Sequence, residues 1–210
     1  MRQSRIIQDD HTKGAADCPG VSDAGHGRPQ GDRLFVALEI PEDVKAVLCR
    51  LASCFPGLKW TSPAAMHLTL RFIGQVPGAG AEQVQQSLRR VAGGSFHMTV
   101  AGLGLFTRKA GGILFAGAHH ADLPKLKKQV DEVLHVSAGL SMPEDAFTPH
   151  ITLSRLKHAA SPALKNQVQV KARERFGEIA VTGFTLFRSL LRPAGAVHEP
   201  VERYPLPCQP

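Results

Sequence analysis

The chain has 210 residues, 43% of them hydrophobic and 20% charged, which suits one good-sized soluble domain or two small lobes sharing one core. Its formal charge is +7, and residues 1–32 hold four Lys/Arg against five Asp/Glu, so an excess of +8 falls on the remainder. That basic excess favours anionic partners; a single Trp and a single Tyr argue against a broad groove that stacks bases.

Residues 1–32 are rich in Gly, Asp and other polar residues and show no apolar period, so they read as a structureless extension ahead of a domain spanning 33–210. RLFVALEI (33–40) is a buried-strand run. Pro41 then opens a helix in which Val44, Val47, Leu48 and Leu51 share a face. MHLTLRFIG (66–74) alternates as a strand, and residues 81–92 form a helix with Val84, Leu88 and Val91 on one side. A strand pair is expected over 95–106 and 111–118, followed by a helix from Leu123 to Leu134 and a strand over 149–156. Ser161 and Pro162 mark a helix start. One long strand is expected over 178–191, and the AVHEPVERYPL tail supplies another. Hairpin-like neighbours favour an α+β protein with antiparallel or mixed sheets. A weak internal repeat, in which helices flank an H-φ-T-Leu strand (φ apolar), suggests two pseudo-symmetric lobes facing a central groove.

The pair His67-Leu-Thr69-Leu70 and His150-Ile-Thr152-Leu153 carries the chemistry. Alternation turns His67 and Thr69 to one face and the leucines to the core, and does the same for His150 and Thr152. Two imidazoles on facing strands can supply the base and the acid for in-line opening of a cyclic phosphate, with the two hydroxyls on its oxygens. No metal is needed, and no carboxylate cluster is present to hold one. A third match, His97-Met98-Thr99-Val100, is expected to be a solvated decoy. Strict alternation puts Arg71 on the His67 face. It puts Arg155 opposite His150, so Arg155 reaches the groove only through a twist or bulge; the plain alternative for both is a surface ion pair.

With their flanks, MHLTLRFIGQV and FTPHITLSRL, together with RLFVALEIP, LKW, VAGLGLF and RYPL in this order, resemble the 2H phosphoesterase superfamily. More narrowly they resemble the RNA 2',3'-cyclic phosphodiesterases, also called 2'-5' RNA ligases, over about Arg33 to Leu206. The resemblance implies a bilobal α+β fold with both tetrapeptides lining the groove. It makes His67 and His150 the catalytic pair, the first donating a proton to the 3' oxygen and the second accepting one. It makes Thr69, Thr152 and Arg155 the phosphate ligands. Products would be 2'-phosphates, and 2'-5' ligation follows by reversal.

The expected partner is RNA with 2',3'-cyclic phosphate ends, tRNA fragments included, acted on by a monomer without cofactor, metal or membrane. Cys18, Cys49, Cys54 and Cys208 form no C-x-x-C pair, and the polar opening MRQSRIIQDD lacks a signal-peptide core, so a reducing cytoplasm is expected. His119, His120 and His135 have no ligand spacing, and the GLG and GG runs lack phosphate-loop spacing. Two rivals remain open: a 2H enzyme for cyclic nucleotides or ADP-ribose cyclic phosphate, and an RNA-binding module without turnover.

Overall fold

Leu34 to Leu38 is buried at every position, and that run forms the centre of strand β1 (Asp32–Glu39). The computed structural model describes residues 31–108, 111–144, 146–192 and 195–208. The structureless extension expected over 1–32 thus falls almost wholly outside the described residues, and Asp32 already belongs to β1. After β1 come α1 (Glu42–Arg50), with a 3₁₀ turn at Leu51–Cys54, and a second such turn at Pro63–Ala65. Then follow β2 (His67–Val76), α2 (Gly78–Leu88), β3 (Phe96–Arg108), β4 (Gly111–His119) and α3 (Asp122–Ala138). The chain continues through β5 (His150–Leu156), α4 (Pro162–Val170), β6 (Arg175–Val181), β7 (Gly183–Arg192) and β8 (Gly195–Pro205).

Among the described residues eight strands form one sheet in the order β6-β3-β4-β5-β2-β1-β7-β8. Every neighbouring pair is antiparallel. At its middle the sheet narrows to one residue pair, Leu68 with Ile151. That pinch separates two four-stranded lobes and sets the two motif strands side by side, as the repeat suggests. The lobes are not successive halves of the chain. α1 packs on β6 and α4 on β3, while α2 and α3 pack together beside β2, so segments are interleaved between the lobes.

The helices cover one face of the sheet. Leu68, Leu70, Ile151 and Leu153 are all within 2% of full burial, each stabilising the fold by about 1.5–3 kcal/mol relative to an exposed side chain. Ser161 caps α4, its hydroxyl accepting from the Leu164 amide at 3.2 Å. Gly139 ends α3 in the left-handed region at φ 66°; its amide donates to the His135 carbonyl and the Leu140 amide reaches back to the Leu134 carbonyl, each at 3.2 Å, a left-handed glycine cap.

Several boundaries differ from expectation. Helix α2 starts three residues early, at Gly78, with Pro77 as its extended N-cap. The strand expected over 178–191 is two strands. Thr182 leaves the ladder and its carbonyl takes the Leu206 amide at 2.8 Å; a Cβ on Gly183 would meet the Tyr204 carbonyl at 2.6 Å. A glycine inside a strand pattern marks such a close approach. β6 completes one lobe against β3, and β7 crosses to the other against β1.

Candidate active site

The Leu68–Ile151 pair dictates how the motif residues meet. Antiparallel register sets His67 toward Thr152 and Thr69 toward His150, a two-fold arrangement on the face away from the helices. All four side chains are half-buried.

Each histidine is oriented the same way. His67 Nδ1 lies 2.9 Å from the Ala65 carbonyl, and His150 Nδ1 lies 2.8 Å from the Thr148 carbonyl. A carbonyl only accepts, so Nδ1 carries the hydrogen and Nε2 is the nitrogen left free in the neutral ring. Stacked aromatics support both rings. Phe115 and Phe106 stack at 4.4 Å and meet His150 at 5.4 and 5.0 Å; Phe35 and Phe187 stack at 5.2 Å, with Phe35 meeting His67 at 4.9 Å. The GLG run has its use here: the Phe115 ring lies where a Cβ on Gly104 would sit, which seats it beneath His150.

Strict alternation fails in both motif strands at the same place. In β5, Phe115 pairs with Thr152 but Leu114 pairs with Ser154, leaving Leu153 as an extra residue. Leu153 and Ser154 are both fully buried, and Arg155 emerges on the face of His150 and Thr152, opposite Ile113. Its positive charge acts on both histidines. In β2, Ala37 pairs with Thr69 but Val36 pairs with Arg71, leaving Leu70 extra. Arg71 therefore turns away from the groove, against the expectation from alternation, and ion-pairs at 3.5 Å with buried Asp131 of α3. Phe72 takes the position that Arg155 holds in the other strand; it is 64% exposed.

Reciprocal bonds brace the two bulges. The Leu153 carbonyl accepts from the Thr61 amide at 2.7 Å, and Ser154 Oγ donates to the Lys59 carbonyl at 2.9 Å. Arg71 donates to the Ser141 carbonyl. Each strand is thus tied to the segment that leads into the other.

Burial disfavours the imidazolium at both sites. It pushes His67 down from 6.5 to about 4, helped by the charges of His198, Arg155 and His150 and opposed by the Ala65 hydrogen bond. His150 is lowered by burial and by Arg155, against its bond to Thr148. Burial therefore favours the neutral form of both rings at pH 7.

Sequence reasoning missed His198, Phe72 and the supporting aromatics. His198, on β8, stands edge-on to His67 with ring centroids 5.1 Å apart. The decoy behaves as expected: His97 is exposed on β3, two strands from β5. His119 bonds to the Ala101 carbonyl, and His120 accepts from the Asp122 amide. Among the described residues no three His, Cys, Asp or Glu side chains converge as metal ligands, and no helix is long and apolar enough to cross a membrane.

The chain matches the model of the LigT-like phosphoesterases over residues 38–115 and 119–198. It is 34% identical to an RNA 2',3'-cyclic phosphodiesterase of Thermotoga maritima over 80% of this chain and 91% of that protein. To the Archaeoglobus fulgidus protein of the same name it is 30% identical, over 80% and 96%. A crystal structure of a Thermus thermophilus protein superposes with a TM-score of 0.70 at 28% identity, covering 84% of this chain and 99% of that one. Two matched blocks that meet at the groove, one holding His67 and the other His150, make this chain a member of the LigT-like phosphoesterase family, within the 2H superfamily.

Proposed function

We propose that this protein opens the 2',3'-cyclic phosphate at an RNA end to leave a 2'-phosphate, with His67 and His150 as the acid–base pair. The observation that carries this is the two-fold placement of two imidazoles, each with Nδ1 tied to a carbonyl and Nε2 free across a one-pair gap between lobes. In-line displacement at phosphorus needs a base on the attacking water and an acid on the departing oxygen, on opposite sides. Thr69 and Thr152 donate to the non-bridging oxygens, and Arg155 sets a charge beside them. Relatives that bear the name RNA 2',3'-cyclic phosphodiesterase support RNA ends as the substrate class; we place tRNA fragments within it.

The resemblance assigns the leaving-group proton to His67, a ring that burial and its neighbours' charges hold uncharged. That assignment requires the proton to arrive with the anionic phosphate, whose negative charge favours the imidazolium. With a 5' hydroxyl in place of water, the same geometry joins it to the cyclic phosphate through a 2'-5' bond as the 3' oxygen departs with the acid's proton. We take the working unit to be a cytoplasmic monomer.

The test is incubation in excess EDTA with a short RNA ending in a 2',3'-cyclic phosphate, followed by analysis of the phosphate position. A 2'-phosphate product is expected, with a loss of about 10²–10⁴-fold in rate for His67→Ala and for His150→Ala. A folded protein that leaves this RNA intact while opening cyclic mononucleotides or an ADP-ribose cyclic phosphate would overturn the RNA reading. One that binds RNA but opens none of these would make it a binding module.

A further inference from the structure

The two lobes match in their histidines, hydroxyls, bulges and stacked aromatics; besides Phe72 standing where the other lobe has Arg155, they differ at one imidazole. Among the described residues no second imidazole stands against the His150 ring as His198 stands against His67. His198 lies edge-on to His67 at 5.1 Å and 88°, and edge-on to Phe35 at 4.9 Å and 78°. Register explains its reach. Phe35 pairs with Phe187 and Phe187 with Pro200, so the groove face continues onto β8, where His198 is the next residue on that side. Its Nδ1 is buried and has no hydrogen-bond partner among the described residues. The three aromatic rings and Met66, Glu39 and Lys45 border an open cleft of about 140 Å³ beside His67.

The charged and titratable groups facing His67 are Glu39 from β1, Lys45 from α1, His150 and Arg155 from β5, and His198 from β8. Of these, His198, Arg155 and His150 oppose its protonation, and His198 acts most strongly. Two imidazolium rings in edge contact and half-buried repel across too little solvent for both to charge.

We infer that His198 is a positioning residue for His67: the two rings hold at most one proton between them, so a proton taken up by His198 keeps His67 uncharged until an anionic phosphate enters the groove. The inference rests on the catalytic reading of His67 for its consequence, while the shared proton itself needs no substrate. His198 exchanges its proton with solvent through the cleft, so no partner reagent is required.

The experiment is ring-nitrogen NMR titration of the ligand-free protein, for the wild type, His198→Phe and His198→Gln. Phenylalanine reproduces the edge-on Phe106 beside His150 and removes only the ionisable group; glutamine guards against a packing artefact. Removing His198 should raise the His67 midpoint from about 4 by part of the gap to 6.5, because burial, the larger cause, remains, with the His150 midpoint unmoved. In pH profiles of cyclic-phosphate opening, the limb owned by His67 should move in the same direction. A His67 midpoint that stays put in both variants overturns the inference, as does a midpoint that moves equally for His67 and His150. Should the wild type open no cyclic phosphate, the proposed function fails, and the titration still decides whether the two rings share a proton.

Discussion

Acid should destabilise this fold through His67 before it protonates most carboxylates. The ring titrates near 6.5 in an unfolded chain and near 4 when folded. Between those values the unfolded state binds a proton that the folded state refuses, so stability falls as pH drops through that window and is insensitive to this group above 6.5. A gap of about 2.5 pH units, at about 1.36 kcal/mol each, amounts to about 3 kcal/mol lost between pH 7 and pH 4. That is a large share of the stability of a domain this size, typically about 5–15 kcal/mol. The assay is urea unfolding of the wild type and of His67→Gln at pH 7 and pH 4. Glutamine keeps a donor for the Ala65 carbonyl and cannot charge. Other groups titrate in both proteins, so the difference isolates His67: the wild type should lose about 3 kcal/mol more than the variant. Equal losses would refute the claim that burial and neighbouring charge hold this ring neutral.

Arg155→Ala should lower the rate of cyclic-phosphate opening by about 10²-fold with little change in stability, since removing one donor to a developing oxyanion costs about that much; Arg155→Lys should recover part of it, and an unchanged rate would remove Arg155 from the site. Arg71→Ala leaves Asp131, only 5% exposed, with Lys127 as its remaining ion partner among the described residues. We expect a loss of about 2–4 kcal/mol in urea unfolding, and a loss below about 0.5 kcal/mol would show that the ion pair holds nothing. Phe72→Ala should leave stability nearly untouched, because the ring is 64% exposed, yet raise KM for an RNA end. Stacking one base contributes about 1–3 kcal/mol, and an unchanged KM would place the terminal base elsewhere.

The sequence makes the order of elements and the catalytic pair legible, because apolar period and strand alternation act over a few residues. The single interruption in the element order, at Thr182, coincides with a glycine that the apolar pattern of 178–191 hides. His198 is not legible at all: the tail that holds it reads as a strand, but only the register from β1 through β7 to β8 delivers it to His67. The Phe106 and Phe115 support of His150 depends in the same way on pairing between β3 and β4. Interleaved lobes are likewise a property of which helix packs on which strand, not of any local run.

Arg71 and Arg155 show where local rules stop. Alternation assigns each to the wrong face, and for one reason. An extra residue, Leu70 in β2 and Leu153 in β5, interrupts each ladder one position after the motif threonine. Such a bulge bends and twists the strand that carries it. The two strands stay paired only at Leu68 and Ile151 and then part, which opens the space a phosphate would fill. The freed Leu153 carbonyl and the turned side chains of Ser154 and Arg71 each find a partner in a segment leading into the opposite strand. Opening the groove, carrying Arg155 into it and withdrawing Arg71 to the ion pair behind β2 are therefore consequences of a single repeated irregularity. A strand that alternated perfectly through Thr152 would close the groove and aim Arg155 into the core.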